Sequence, residues 1–286
     1  VTQAGTGSRF GERVRDALTE YGPLCVGIDP HAALLNAWDL DESAAGVREF
    51  GMRTVDAAAQ RVGFVKPQIS FFERFGSAGF AALEDVMDAA RQRDLIVIAD
   101  AKRGDIGTTM DAYAAAWLTP GSPLEADALT VSPYLGVGAL EGAFTLAETH
   151  GKGVFVLAAT SNPEALGVQR SQSATAQTVS AQIVADVSAR NAENTPDGQW
   201  GSLGFVIGAT VDWTDAGLSP FSPAAPILSP GFGAQGAGPD DLPTRFGSAS
   251  STVIASESRS ILSAGPDGLA PAIDARVADY RKALDV

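Results

Sequence analysis

Short apolar runs recur along this chain, and segments of helical spacing separate them. The runs cover residues 24–28, 62–65, 95–99, 127–131, 153–158, 203–207, 225–228 and 251–255. Most read as continuous apolar stretches rather than alternations, the pattern of strands covered on both faces. Helical spacing fills 44–59, 80–91, 110–117, 176–190 and 271–282. Strands joined through helices pair in parallel, because a hairpin turn cannot bridge them. Eight such units in 286 residues predict an α/β fold, a (β/α)8 TIM barrel occupying 1–286 as a single domain. An open, doubly wound sheet is the alternative that periodicity leaves standing. The stretches 161–174, 191–201 and 229–243 are rich in Gly, Pro, Ser or Asn and read as loops. No role is assigned to 191–201.

Composition narrows the function. Hydrophobic residues make up 45% of the chain, enough for a sizeable core. A formal charge of −14 repels phosphate at long range, which argues against nucleic acid or an anionic membrane as partner. Any anionic ligand must therefore meet a local cluster of cations and backbone N–H groups. A lone cysteine, Cys25, allows no internal disulfide and suits a reducing compartment; in its apolar run it reads as a small buried residue. No stretch has the length and apolarity of a membrane span, and the polar start lacks the apolar core of a secretion signal, so a cytoplasmic protein is expected.

Nearly every run ends in small or polar residues, the place where barrels and open α/β sheets both build their sites. The third run ends Asp100-Ala-Lys102, with Asp105 close behind, and Lys66 follows the second run. In a strand, positions two apart share a face, so Asp100 and Lys102 should converge on one cavity. Carboxylates beside a lysine oppose the desolvation that would strip its proton, and a fixed ammonium suits stabilising and protonating a carbanion. A salt-bridged rim without chemistry is the plain alternative. After the seventh run comes Ser229-Pro-Gly-Phe-Gly-Ala-Gln-Gly-Ala-Gly238, and Arg259 follows the eighth. Loops after strands seven and eight are the usual phosphate site of such barrels. No Walker-type loop is present. His31 and His150 stand far apart with one cysteine, which gives no zinc spacing, so no metal is expected. The tryptophans, Trp117 and Trp213 among them, read as packing, and Thr160-Ser-Asn162 as a possible pocket edge.

The run Ala99-Asp-Ala-Lys-Arg-Gly-Asp-Ile-Gly-Thr-Thr109 closely resembles the Asp-x-Lys-x-x-Asp signature of the orotidine 5′-monophosphate decarboxylases. Gly27-Ile-Asp-Pro30, Lys66-Pro-Gln68, Phe71-Phe-Glu73, Ser132-Pro-Tyr-Leu-Gly136, Gly208-Ala-Thr210, Pro230-Gly-Phe-Gly-Ala-Gln-Gly236 and Ser258-Arg-Ser260 match that family in order and favour its longer bacterial subgroup. The loop reads Gly-Ala where Gly-Gly is frequent. The resemblance implies a cofactor-free, metal-free decarboxylation of a pyrimidine nucleotide, with Lys66, Asp100, Lys102 and Asp105 as the catalytic tetrad. It implies a homodimer with shared sites, Asp105, Ile106 and Thr109 coming from the partner subunit. It also implies that Asp29 and Lys66 hold ribose hydroxyls and that Ser132 meets the pyrimidine. Gln235 and Arg259 would grip the phosphate, helped by backbone N–H groups near Gly233 and Arg259. Two other readings compete with this one. Mg²⁺-dependent sugar-phosphate enzymes of the same barrel group look similar around the central signature, but Lys66-Pro-Gln and Ser132-Pro-Tyr favour the nucleotide enzyme. A silent nucleotide-binding barrel would have no need of an intact tetrad.

Overall fold

The computed structural model describes residues 8–172 and 176–285, and in it the strands close on themselves. The strands are β1 Leu24–Ile28, β2 Phe64–Pro67, β3 Ile96–Arg103, β4 Ala128–Val131, β5 Gly153–Ala159, β6 Leu203–Ile207, β7 Ile227–Pro230 and β8 Val253–Glu257. Each is parallel to its sequence neighbours, and β8 returns to β1 with Leu24 opposite Ala255. That ladder decides between the two expected architectures. An open sheet keeps two edges, whereas this one has none, so the chain folds as a (β/α)8 barrel. No helix among the described residues is long and apolar enough to cross a membrane.

Side-chain alternation sorts the apolar residues into two buried layers. Cys25, Phe64, Ile96, Ile98, Ala128, Phe155, Val206, Leu228 and Ile254 form one cluster inside the barrel. Their strand neighbours, such as Val26, Val65, Val97 and Leu129, pack outward in the larger cluster with the helices. Every strand is thus buried on both faces, which is why the runs look continuous. The first helix, Phe10–Tyr21, lays Phe10 and Val14 against the inner cluster. Phe10 meets Phe155 edge-on at 5.9 Å, and Gly153 makes room for it: a Cβ there would lie 2.2 Å from the Phe10 ring. Arg13 of the same helix pairs with Asp127, whose other oxygen accepts from Val97 N at 2.9 Å.

Several boundaries differ from those read in the sequence. β2, β7 and β8 begin later and run further, so Lys66, Ser229, Ser256 and Glu257 belong to strands rather than to the loops behind them. The helix expected over 176–190 runs Val179–Asn194, because Thr178 caps it by accepting from Ala181 N at 3.0 Å. Pro271 lies inside the last helix, Gly265–Ala283; Pro266 takes the early position that tolerates a missing N–H. The segment 191–201 has a structural task. Its first residues end a helix, and the buried Asn191 donates to Leu203 O at 2.7 Å and accepts from Leu203 N at 3.2 Å, holding the start of β6. Trp200 and Gly201 press on Gly11, where a Cβ would lie 2.5 Å from either carbonyl oxygen. The loop expected over 161–174 includes a short helix, Leu166–Gln169, and its residues 173–174 lie outside the described residues.

Candidate active site

Along the strands, the inward positions start apolar and end polar. In β2, Phe64 is followed two residues on by Lys66; in β3, Ile98 by Asp100; in β4, Ala128 by Thr130. The bottom of the barrel is therefore a packed apolar plug, and the polar side chains collect at the C-terminal ends of the strands.

Asp100 is the hub. Its Oδ1 accepts from Lys102 Nζ at 2.6 Å and from Thr130 Oγ1 at 3.0 Å, and its Oδ2 accepts from Lys66 Nζ at 3.0 Å. With its amide nitrogen turned to the carboxylate, Gln68 donates to Oδ2 at 3.1 Å and to Asp100 O at 2.6 Å. Lys66 is 6% exposed, whereas the side chain of Lys102 keeps 45% of its surface open. One lysine is thus sealed into the wall and the other faces the mouth.

Simple strand geometry does not explain how Asp100 and Lys102 meet. Ala99 pairs with Leu129 but Arg103 with Val131, so β3 carries extra residues against β4. Lys102 adopts φ +49°, the left-handed region that L residues avoid. Its N–H has left the ladder and donates to Thr130 Oγ1 at 2.9 Å. A bulge supported by one threonine hydroxyl therefore folds Lys102 back onto Asp100. Thr130 was not singled out in the sequence, although the period-two step from Ala128 points to it.

Burial alone would raise the pKa of Asp100, but Lys66 and Lys102 outweigh it and hold the carboxyl at about 2. Burial would likewise strip Lys66 of its proton; the negative charges of Asp100 and Asp29 outweigh it and hold the ammonium above the usual lysine range. Cys25, beneath them in the inner cluster, has its thiol pushed up to about 12 by burial, against the pull of Lys66. It is a packed residue, as its run suggested.

The other predicted residues surround this hub unevenly. Asp29 follows β1, with Oδ1 buried and without a hydrogen-bond partner among the described residues. His31, two residues on, is likewise unpartnered at a buried Nε2 among the described residues. Ser132 follows β4, its N–H bound to Arg103 O at 2.7 Å. Asp105 stands apart: its carboxylate accepts from Ile106 N at 2.8 Å, and no contact joins it to Asp100 or Lys102 among the described residues. Ile106 is 61% exposed, and Thr109 is exposed in the helix Gly107–Leu118. Pro230 pairs with Ser256, so the glycine loop after β7 and the segment bearing Arg259 leave adjacent strand ends. Gln235 and Arg259 are both exposed there. Gly233 (φ +69°) spends its N–H inside the loop, on Ala237 O at 2.8 Å. Among the described residues no three His, Cys, Asp or Glu side chains are grouped to hold a metal ion.

Known proteins are similar to this chain in sequence and fold. The model of the orotidine 5′-phosphate decarboxylase / HUMPS family matches residues 22–270. The orotidine 5′-phosphate decarboxylase of Salinispora arenicola is 50% identical over 277 residues, which is 96% of this chain and 98% of the relative. A crystal structure from Streptomyces avermitilis superposes with a TM-score of 0.93 at 45% identity, covering 100% of this chain and 99% of that one. The OMP decarboxylase of Leishmania donovani gives a TM-score of 0.77 at 26% identity, covering 97% and 99%. From β1 to its last helix, then, this chain is a member of the orotidine 5′-phosphate decarboxylase / HUMPS family.

Proposed function

We propose that this carboxy-lyase converts orotidine 5′-monophosphate to uridine 5′-monophosphate in pyrimidine biosynthesis, with Lys102 as proton donor. The activity follows from relatives that are half identical over nearly the whole chain. The assignment of roles rests on one observation above all: a mouth-facing lysine folded onto a buried carboxylate whose other oxygen is held by a second, sealed lysine.

In this reading the substrate carboxylate enters beside Asp100, and the like charges disfavour the bound ground state. The bond from C6 to the carboxyl carbon breaks, CO₂ departs, and the electron pair stays on C6. The Lys102 ammonium stabilises that carbanion and transfers its proton to C6. Lys66 keeps Asp100 ionised and in place. The unpartnered Asp29 Oδ1 is suited to a ribose hydroxyl and Ser132 to the pyrimidine. Gln235, Arg259 and the loop around Gly233 take the phosphate, whose binding energy promotes closure over the ring.

Asp105, Ile106 and Thr109 serve the site of a second subunit in a cytoplasmic homodimer, each chain contributing one barrel domain. Two features support that reading. Asp105 is separate from its own chain's hub, and large apolar side chains are exposed at Ile106, next to it in the chain, and after β4 at Tyr134 (82%) and Leu135 (54%).

Mixing two dead variants tests both parts. Lys102→Ala and Asp105→Ala should each lose the absorbance change of orotidine 5′-monophosphate turnover. After subunit exchange the mixture should recover about a quarter of the wild-type activity, because half of the dimers hold one intact site. Lys102→Ala with near-normal turnover would remove it as the donor, and a mixture that stays dead would remove the shared site.

A further inference from the structure

Glu257 ends β8 and is 1% exposed, a carboxylate that the proposed chemistry does not use. Both its oxygens are engaged. Tyr280 Oη donates to Oε1 at 2.8 Å and Ser260 Oγ donates to Oε2 at 2.6 Å. Arg276 Nε stands 3.5 Å from Oε1. Burial, and then the charge of Glu257, raise the Tyr280 phenol above its ordinary range, so it remains a donor. The glycine loop leans on the same group: a Cβ built on Gly233 would lie 2.5 Å from Oε2 and 2.3 Å from Ser260 Oγ. One carboxylate therefore touches the end of β8, the helix Arg259–Leu262, the loop after β7 and the helix Gly265–Ala283.

A buried, paired carboxylate is a poor device for stability alone, since apolar residues of the same volume often do as well. Its value is geometric. The first two residues after Glu257 lead to Arg259, and Gly233 lies two residues before Gln235. We propose that Glu257 is a positioning residue for the 5′-phosphate: by fixing Ser260 on one side and the Gly233 turn on the other, it sets the distance between Arg259 and Gln235. The proposal rests on the function given above, and it extends that reading to a residue outside the resemblance.

The test compares Glu257→Gln and Ser260→Ala with wild type on orotidine 5′-monophosphate and on phosphate-free orotidine, and measures binding of uridine 5′-monophosphate and uridine by calorimetry. Glu257→Gln keeps the shape and removes the charge. It should lower kcat/KM for the phosphorylated substrate about tenfold and weaken the monophosphate by a similar factor, with less than about a twofold change for orotidine and uridine. Ser260→Ala should shift the same ratios in the same direction by less, which keeps the test available if Glu257→Gln folds badly. Equal losses on the phosphorylated and phosphate-free forms, or unchanged ratios in both variants, overturn the positioning role. Wild type that leaves orotidine 5′-monophosphate intact would overturn the parent reading instead, and the binding ratios would still report on Glu257.

Discussion

Replacing Asp100 with Asn removes the charge on which Lys66, Lys102, Thr130 and Gln68 converge while keeping the side chain's shape. The principal cost falls on Lys66, which is 6% exposed and would keep its ammonium without the carboxylate 3.0 Å away. Removing one partner of a buried pair typically costs about 3–5 kcal/mol. Asp29 also supports that ammonium, so the lower end, about 3 kcal/mol at pH 7, is expected. The pH dependence has a definite sign. The Asp100 pKa is about 2 in the folded protein, against about 3.9 in an unfolded chain. A depressed carboxyl contributes stability that is complete above the unfolded value and is lost as pH falls through the folded one. That contribution is on the order of 2.5 kcal/mol and disappears between about pH 5 and pH 1. The gap between wild type and Asp100→Asn should therefore narrow in acid. Urea denaturation of both proteins at pH 7 and at pH 4 to 3 reads it directly. A difference below about 1 kcal/mol at pH 7, or a gap that does not shrink toward pH 3, would refute the reasoning.

Two further substitutions separate the site from its scaffold. Thr130→Val leaves Lys102 N without its acceptor and the φ +49° bulge without support, so kcat should drop about tenfold with little change in KM; an unchanged kcat would mean the bulge holds itself. Asn191→Ala strands the backbone N–H and C=O of Leu203 and should cost about 2–4 kcal/mol in denaturant melts while kcat stays within about twofold, because the damage lies far from Asp100.

The barrel was legible because each strand is covered on both faces, so the eight runs stand out against helical spacing. Lys66, Asp100 and Lys102 were legible because charged residues end those runs. What failed is instructive. Positions two apart put Asp100 and Lys102 together in the sequence reading, yet the strand breaks its alternation there and a hydroxyl on the neighbouring strand restores the meeting. Thr130 and Gln68 act through Asp100, and Glu257 reaches Tyr280 in the last helix, partners distant in the chain that local periodicity does not reveal. The segment 191–201 looked featureless because Asn191 does its work through two hydrogen bonds to the backbone of Leu203.

The ladder between β1 and β8 bears on how the molecule is made. Leu24 meets Ala255 only after most of the polypeptide has left the ribosome, and Arg9 bonds Asn194 O across a similar span. Until then β1 is a bare edge of apolar backbone, open to pairing with other nascent chains. Such distant contacts slow the search for the native state. A destabilising change within β8 should therefore reduce the yield of folded protein in cells more than its equilibrium cost implies, since it prolongs the interval in which the first strand is paired on one side only.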